Sequence, residues 1–349
     1  MLAQNKNFNN IKIHTQYSIC EGAVKIDELA DYCKANKIKA IGLADSYNLC
    51  GALEFAEKIS KVGTQPIIGT QINLLYENII GKITLYAISQ KGYKNLTKLS
   101  SLSYLNNKTN NDPHCELRDL ILNNEDLILL TGNYNNFFGK LFYANKIKNI
   151  ETIIDKLKSS FQERIYIEIQ RHAETQEVNF ENFLLKTSAT HDLPLIAGQE
   201  VYYLDSEMAE AHDALICIGE KHFIDDQNRF RYSNQHYIKK SEELEKLYSD
   251  IPEALENNYN FPLRFNFKPK KSKPILPSIS TNKDTTIENE LMEQAKNGLK
   301  ERLNNFIFKK NKNQPHNDLI KLYEDRLFHE LNIINSMNYS SYFLIVSDY

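Results

Sequence analysis

Short apolar runs alternate along the first part of the chain with stretches whose apolar positions recur every three or four residues. The runs at residues 11–13, 40–43, 66–69, 72–75, 83–87, 127–130, 165–169 and 193–197 are predicted strands. Ile26, Leu29, Ala30 and Cys33, and then Leu53, Phe55, Ala56 and Ile59, fall at helical spacing between the first of them. Residues 72–75 and 83–87 are expected to pair across a polar loop. Elsewhere the alternation predicts parallel strands joined by helical crossovers, an α/β fold. So many strands favour a closed, TIM-like (β/α) barrel over an open sheet, and such a barrel gathers its sites at the C-terminal strand ends.

The alternation fails near residue 262, which sets a barrel domain at residues 1–265. Residues 266–286 read as an extended linker, because Pro269, Pro274 and Pro277 and the residues before them resist helix. Lys268, Lys270, Lys271 and Lys273 could touch phosphate there, although a solvated linker is the plainer expectation. In the last segment, residues 287–349, two helices are expected around 287–303 and 319–335. Leu319, Leu322, Tyr323, Leu327, Leu331 and Ile334 form one apolar stripe on the second, and Asn338 suits a left-handed helix stop. An apolar run at 342–346 comes just before the last residue, an odd place for a segment that needs something to pack against.

Composition narrows the function classes. With 349 residues, about two domains are expected. A net charge of −3 gives no global electrostatic case for nucleic-acid binding. Cys20, Cys33, Cys50, Cys115 and Cys217 are scattered with no Cys-x-x-Cys pair, which points to a reducing compartment and against a zinc ribbon or disulfide framework. No signal-like or membrane-spanning apolar stretch occurs, so a cytoplasmic protein with no membrane partner is expected.

The first strand carries Lys12-x-His14. Alternate strand residues share a face, so His-x-His at this place would aim two imidazoles at one point. Lysine is an obligate donor and no metal ligand. At an effective dielectric of ~20, an ammonium about 4 Å from a divalent ion is repelled by roughly 8 kcal/mol. The other strand ends offer Asp45 with Ser46, Gln71, His172, and Glu200 with Tyr202. His14, Asp45, His172 and Glu200 are therefore the candidates to hold one ion weakly. Each also has a plain structural role, since a strand-end Asp caps the next turn and a lone His is a satisfied core or surface group. His212-Asp213, on an expected helix at 206–218, reads as surface plus capping, and His236 has no partner at ligand spacing. Gly-rich nucleotide loops, a nucleophile elbow and an Asp-x-Asp metal clamp are all missing from the sequence.

Several segments together resemble the N-terminal part of the bacterial replicative DNA polymerase III alpha subunit. They are residues 8–18, 45–51 (DSYNLCG), 66–69 (PIIG), 92–96 (GYKNL), 209–218 (AEAHDALICI), 237–244 (YIKKSEEL), 250–257 (DIPEALEN) and 333–346. Each is weak alone, but in the family's order and spacing they are specific and cover essentially the whole chain. The resemblance implies a PHP (polymerase and histidinol phosphatase) domain, a distorted barrel that binds a metal cluster in some members, followed by the start of the polymerase palm.

The family's metal-binding form has His-x-His at Lys12 and His14, Asp-His at Asp45-Ser46, Glu at Gln71, His at Lys82, and Asp-x-His at Glu200-x-Tyr202. The resemblance thus implies ligand positions lost at Lys12, Ser46, Gln71, Lys82 and Tyr202, with no metal, catalytic or cofactor site in this chain. Lys12 and Glu200 are expected to form an ion pair in place of metal charge. DNA-directed DNA synthesis, with Mg²⁺, belongs by resemblance to the full subunit, whose catalytic aspartates lie beyond the segment matching 342–349. The chain alone is expected to be an inactive structural and docking module, a fragment or split product. It would bind an epsilon-type proofreading exonuclease and other replicase subunits, and meet DNA through the full polymerase. The alternatives are a free-standing metal-dependent PHP phosphoesterase or exonuclease with a reduced site, and a bare exonuclease scaffold.

Overall fold

The computed structural model describes residues 7–105, 107, 112–272 and 285–349. The chain divides into two compact units, Met1–Lys271 and Ser272–Tyr349. In the first unit the order begins β1 (Lys12–Ile13), α1 (Ile26–Ala35), β2 (Ala40–Ser46), α2 (Ala52–Lys61), β3 (Gln65–Tyr76), β4 (Ile79–Ala87), α3 (Gln90–Leu105). It continues β5 (Cys115–Glu116), α4 (Leu117–Leu122), β6 (Leu127–Leu130), α5 (Phe137–Tyr143), α6 (Ile147–Phe161), β7 (Ile165–Gln170), α7 (Glu177–His191). It ends β8 (Leu195–Gly198), β9 (Glu200–Val201), α8 (Ala209–Glu220), α9 (Ser241–Leu247) and α10 (Pro252–Asn260).

The sheet runs β8-β7-β6-β4-β3-β2-β1-β9, with β5 beside β3. Its two ends, β8 and β9, are separated in sequence by Gln199 alone, so one bent stretch of chain pairs with β7 on one side and β1 on the other. That bend nearly closes the sheet into a mixed barrel. The expected pairing of 72–75 with 83–87 is present as an antiparallel hairpin, and the parallel pairing expected elsewhere holds except between β4 and β6, which are antiparallel. The reason is local: a two-residue turn with Glu77 at φ 51° folds β4 straight back on β3. The separate runs expected at 66–69 and 72–75 are one continuous strand, β3.

Side-chain alternation sorts the strands into two faces. Ile41, Leu43 and Ile68 face α1 and α2, where they meet Leu29, Phe55 and Ile59. Leu85, Leu129, Ile165, Ile167 and Ile169 pack against the other helices. The opposite parity contributes Ala40, Ile67, Tyr86, Ile128, Tyr166 and Ile196 to a third cluster, drawn from six different strands and capped by Phe261 and Phe265. This cluster fills one end of the barrel interior. Farther along the same inward rows the side chains become polar, which builds the site described below.

Lys268, Lys270 and Lys271 are exposed, and Lys271 pairs with Glu57. Lys273, Pro274 and Pro277 lie outside the described residues. The second unit contains α11 (Ile287–Arg302), α12 (Phe308–Lys310), α13 (His316–Ser336) and α14 (Ser340–Asp348). Leu291, Leu331 and Leu344 form its small core. Within the expected stripe on α13, Leu319 and Leu331 are buried while Leu322 and Tyr323 are exposed. Asn338 does take a left-handed conformation, at φ 58°. Among the described residues no helix is long and apolar enough to cross a membrane.

Candidate functional site: a buried polar centre at one barrel end

On β7 the sequence Ile-Tyr-Ile-Glu-Ile-Gln puts three isoleucines outward and Tyr166, Glu168 and Gln170 inward. Lys12 enters the same space from β1, and its Nζ lies 2.5 Å from Glu168 Oε2 with both side chains fully buried. Glu168 Oε1 accepts a hydrogen bond from Gln170 Nε2 at 2.8 Å, so the carboxylate is engaged on both oxygens. The expected partner was Glu200. Lys12 and Glu200 are indeed register partners on adjacent strands. The lysine stem nevertheless extends across the barrel to β7 instead of sideways to its neighbour.

Glu200 is held by other groups. Its Oε1 accepts from Gln71 Nε2 at 2.6 Å and sits 3.0 Å from His14 Nε2. Burial pushes its pKa up, but the Lys12 charge and the His14 contact outweigh that and hold it well below the usual carboxylate range. Tyr202 stacks on His14, ring centroids 4.5 Å apart.

At the rim, Lys82 Nζ donates to both oxygens of Glu21, at 2.6 and 2.7 Å, and to Ser46 Oγ at 3.1 Å. Ser46 Oγ donates to Glu21 Oε2 at 2.5 Å. Burial opposes charge on Glu21, yet the Lys82 ammonium keeps its carboxyl below the ordinary value.

Asp45 is separate from both pairs. It accepts from Thr15 N at 2.6 Å, Thr15 Oγ1 at 2.8 Å and Ser18 Oγ at 2.7 Å, and so closes the turn after β1. Burial raises its pKa despite these donors.

His172 is buried with Nδ1 against Glu177 Oε1 at 3.2 Å, while its Nε2 accepts from the Glu200 backbone N–H at 3.3 Å. That pair of contacts assigns the proton to Nδ1. Its ring stacks on His236 at 4.0 Å, and His236 Nδ1 in turn meets the Glu200 carbonyl at 3.0 Å. Burial pushes His172 down to about 3 and His236 well below the ordinary imidazole value.

Of the four candidate ligands, His14 and Glu200 therefore touch, His172 reaches only the Glu200 backbone, and Asp45 is committed to a turn. Lys12, Ser46, Gln71, Lys82 and Tyr202 all gather at the same barrel end. Among the described residues no group of three or more His, Cys, Asp or Glu is placed to hold a metal ion. His212 corrects the surface reading: it is buried, and its Nε2 hydrogen-bonds the Glu21 carbonyl at 2.8 Å. Asp213 is gripped by the Arg229 guanidinium.

Sequence reasoning missed Glu21, Glu168 and His236. Glu168 had a usable signal, since it is the odd charged residue on the inward parity of an isoleucine-rich strand. Lys82 shares the inward parity of Thr84 and Tyr86 in the same way. Glu21 and His236 sit in irregular segments, where no period marks them.

Residues 10–172 match the PHP domain family, and residues 289–349 match the bacterial DNA polymerase III alpha NTPase domain. A DNA polymerase III subunit alpha from Caulobacter vibrioides is 35% identical over 99% of this chain and 30% of its own length. The subunit from Rickettsia bellii is 35% identical over 98% of this chain and 29% of its own. That from Vibrio cholerae is 31% identical over 98% and 30%, respectively. The chain thus spans about 30% of the length of the curated relatives it matches.

Proposed function

The chain joins a PHP domain to a bacterial DNA polymerase III alpha segment, and on that premise we propose that it serves as the N-terminal module of a replicative polymerase alpha subunit, with a PHP domain that is structural instead of hydrolytic. The observation that carries this reading is the Lys12–Glu168 pair at 2.5 Å, fully buried in the place where a barrel enzyme of this family would present metal ligands. A metal cluster needs several anionic or neutral donors converging with free lone pairs. Here the carboxylates of Glu168 and Glu21 already hold ammonium ions, Glu200 is taken by Gln71 and His14, and Asp45 by Thr15 and Ser18. The residues present do not fit the cluster.

In this reading the polar centre is an internal tie between strands, its cations supplied by the chain itself. The domain is left as a rigid surface for an epsilon-type proofreading exonuclease and other replicase subunits, in the cytoplasm, while polymerisation with Mg²⁺ belongs to the full subunit.

Metal analysis of gently purified protein is expected to give well under one equivalent of zinc, manganese or iron. Assays with Mg²⁺, Mn²⁺ or Zn²⁺ are expected to show neither phosphoesterase nor 3′–5′ exonuclease turnover. Metal-dependent release of phosphate or nucleotides that His14→Ala or Glu200→Ala abolishes would overturn the reading. Docking is tested separately, by co-elution with the cognate exonuclease at micromolar concentration, and failure there removes the partner while leaving the metal-free centre intact.

A further inference from the structure

Among the described residues of the first unit two lysines are buried, Lys12 at 0% exposure and Lys239 at 3%. Lys12 has a carboxylate at 2.5 Å. Lys239 has, among the described residues, no carboxylate within ion-pair distance. Its Nζ donates to the Gln235 carbonyl at 2.5 Å and stands 4.7 Å from the centre of the Tyr237 ring. Glu243 and Glu177 favour its charge from farther off, but burial outweighs them, and the group relieves that cost by giving up its proton more readily.

Lys239 is not sealed in, however. It lines a cavity of about 650 Å³ together with Arg171, Glu174, Glu177, Val178, Glu243, Lys246 and Leu247. That is within the size range of small-molecule pockets. Arg171 does not balance an anion there, because Glu181 and Asp250 hold its guanidinium. On the wall, Glu174 accepts from the Ser233 backbone N–H and Glu177 from the His172 and Glu174 backbone N–H groups, and both carboxyls are pushed up by burial. The cavity therefore combines a desolvated amine, apolar wall from Val178 and Leu247, and carboxyls whose burial favours the protonated form.

We propose that Lys239 is a nucleophilic amine that binds small, uncharged aldehydes covalently in this cavity as a reversible imine. The amine lone pair forms the C–N bond to the carbonyl carbon while one of the two amine protons passes to the carbonyl oxygen. The carbinolamine then loses its hydroxyl as water with a proton lent by Glu174 or Glu177, and the nitrogen returns its remaining proton to that carboxylate to leave C=N. Aldehyde and amine give imine and water, with no oxidant or reductant. Desolvated lysines in apolar pockets have this chemistry because a larger share of the amine is neutral near physiological pH. Burial sets the Lys239 pKa at about 8, in keeping with the geometry.

The test uses the whole chain, pyridoxal as the aldehyde and borohydride to trap the imine, with peptide mass mapping of each lysine. At pH 7.5 Lys239 is expected to label at least about tenfold faster than exposed lysines such as Lys37 and Lys268, given an ordinary lysine pKa of about 10.4. Its labelling rate is expected to reach half-maximum near pH 8, well below the exposed lysines. Butanal is expected to protect Lys239 selectively. In Lys239→Met the fast-labelled peptide disappears while the exposed lysines are unchanged. A Lys239 rate no faster than that of exposed lysines, or one with their pH dependence, overturns the proposal in the wild-type protein alone, whatever the variant's stability.

Discussion

Lys12 Nζ and Glu168 Oε2 meet at 2.5 Å across the barrel interior, joining β1 to β7, two strands that are not neighbours in the sheet. The pair is a cross-barrel tie, and its full burial makes the loss of one partner more costly than the loss of both.

Lys12→Met leaves Glu168 buried with its charge uncompensated, and a cost of about 3–5 kcal/mol is expected. The double variant Lys12→Met/Glu168→Gln is expected to recover at least half of it. Urea unfolding midpoints of the two single variants and the double one measure the coupling. A single-variant loss below about 1 kcal/mol would argue that the pair is solvated.

The rim pair should behave differently. The Lys82 and Glu21 side chains retain 16% and 23% exposure, so water screens them and can replace a lost partner. Lys82→Met is expected to cost about 1 kcal/mol or less. If it proves as damaging as Lys12→Met in the same urea titration, the distinction between a buried tie and a wet rim fails.

Stability should fall on mild acidification. His172, His236 and His212 are all lowered by burial, His172 to about 3. A base whose folded pKa lies below its unfolded value of about 6.5 takes up its proton more readily when unfolded. Its contribution is therefore complete above pH ~6.5 and is lost as pH drops towards the folded value. Glu200, held below the carboxylate range, adds a second loss below about pH 4.5. Asp45 and Glu177 are raised and work in the opposite sense over the lower part of that window. The unfolding midpoint is expected to decline steadily from pH 7.5 to 5. A flat profile over that interval would mean that these imidazoles are accessible to water in the native state.

Gly198→Ala should destabilise through one contact. A Cβ at that position would lie 2.3 Å from Glu168 Oε1, so the carboxylate that holds Lys12 must move. A loss of about 1–3 kcal/mol is expected. Combining Gly198→Ala with Glu168→Ala, which removes the clashing atoms, should give clearly less than the sum of the single losses. Strict additivity would show that the glycine is needed for the bend at Gln199 instead.

Much of the barrel is legible in the sequence. Ile41 and Leu43, Leu127 and Leu129, and Ile165, Ile167 and Ile169 mark strands whose outer parity packs on helices, and the polar stretch between 72–75 and 83–87 marks a hairpin, though not that its turn is only two residues long. The period of two also implies an inward row on each strand, because parity is a local property of extended backbone. The strand-end positions of Asp45 and Ser46, and the unsuitability of Lys12 as a metal ligand, follow from that periodicity and from side-chain chemistry alone, whereas Gln71 lies within β3.

Only the closed barrel decides which inward residues meet. Lys12 and Glu200 are register partners, so sequence and pairing alone favour their contact. The lysine stem spans the interior to Glu168 because Gln71 and His14 already hold Glu200, while Gly198 leaves room for the Glu168 carboxylate. Glu21 and His236 come from irregular loops and reach the centre only through the path of the chain around it. Periodicity therefore determined which face each residue occupies, and tertiary structure chose the partners, because distances across a barrel are set by its closure and by competition among neighbours for the same charged groups.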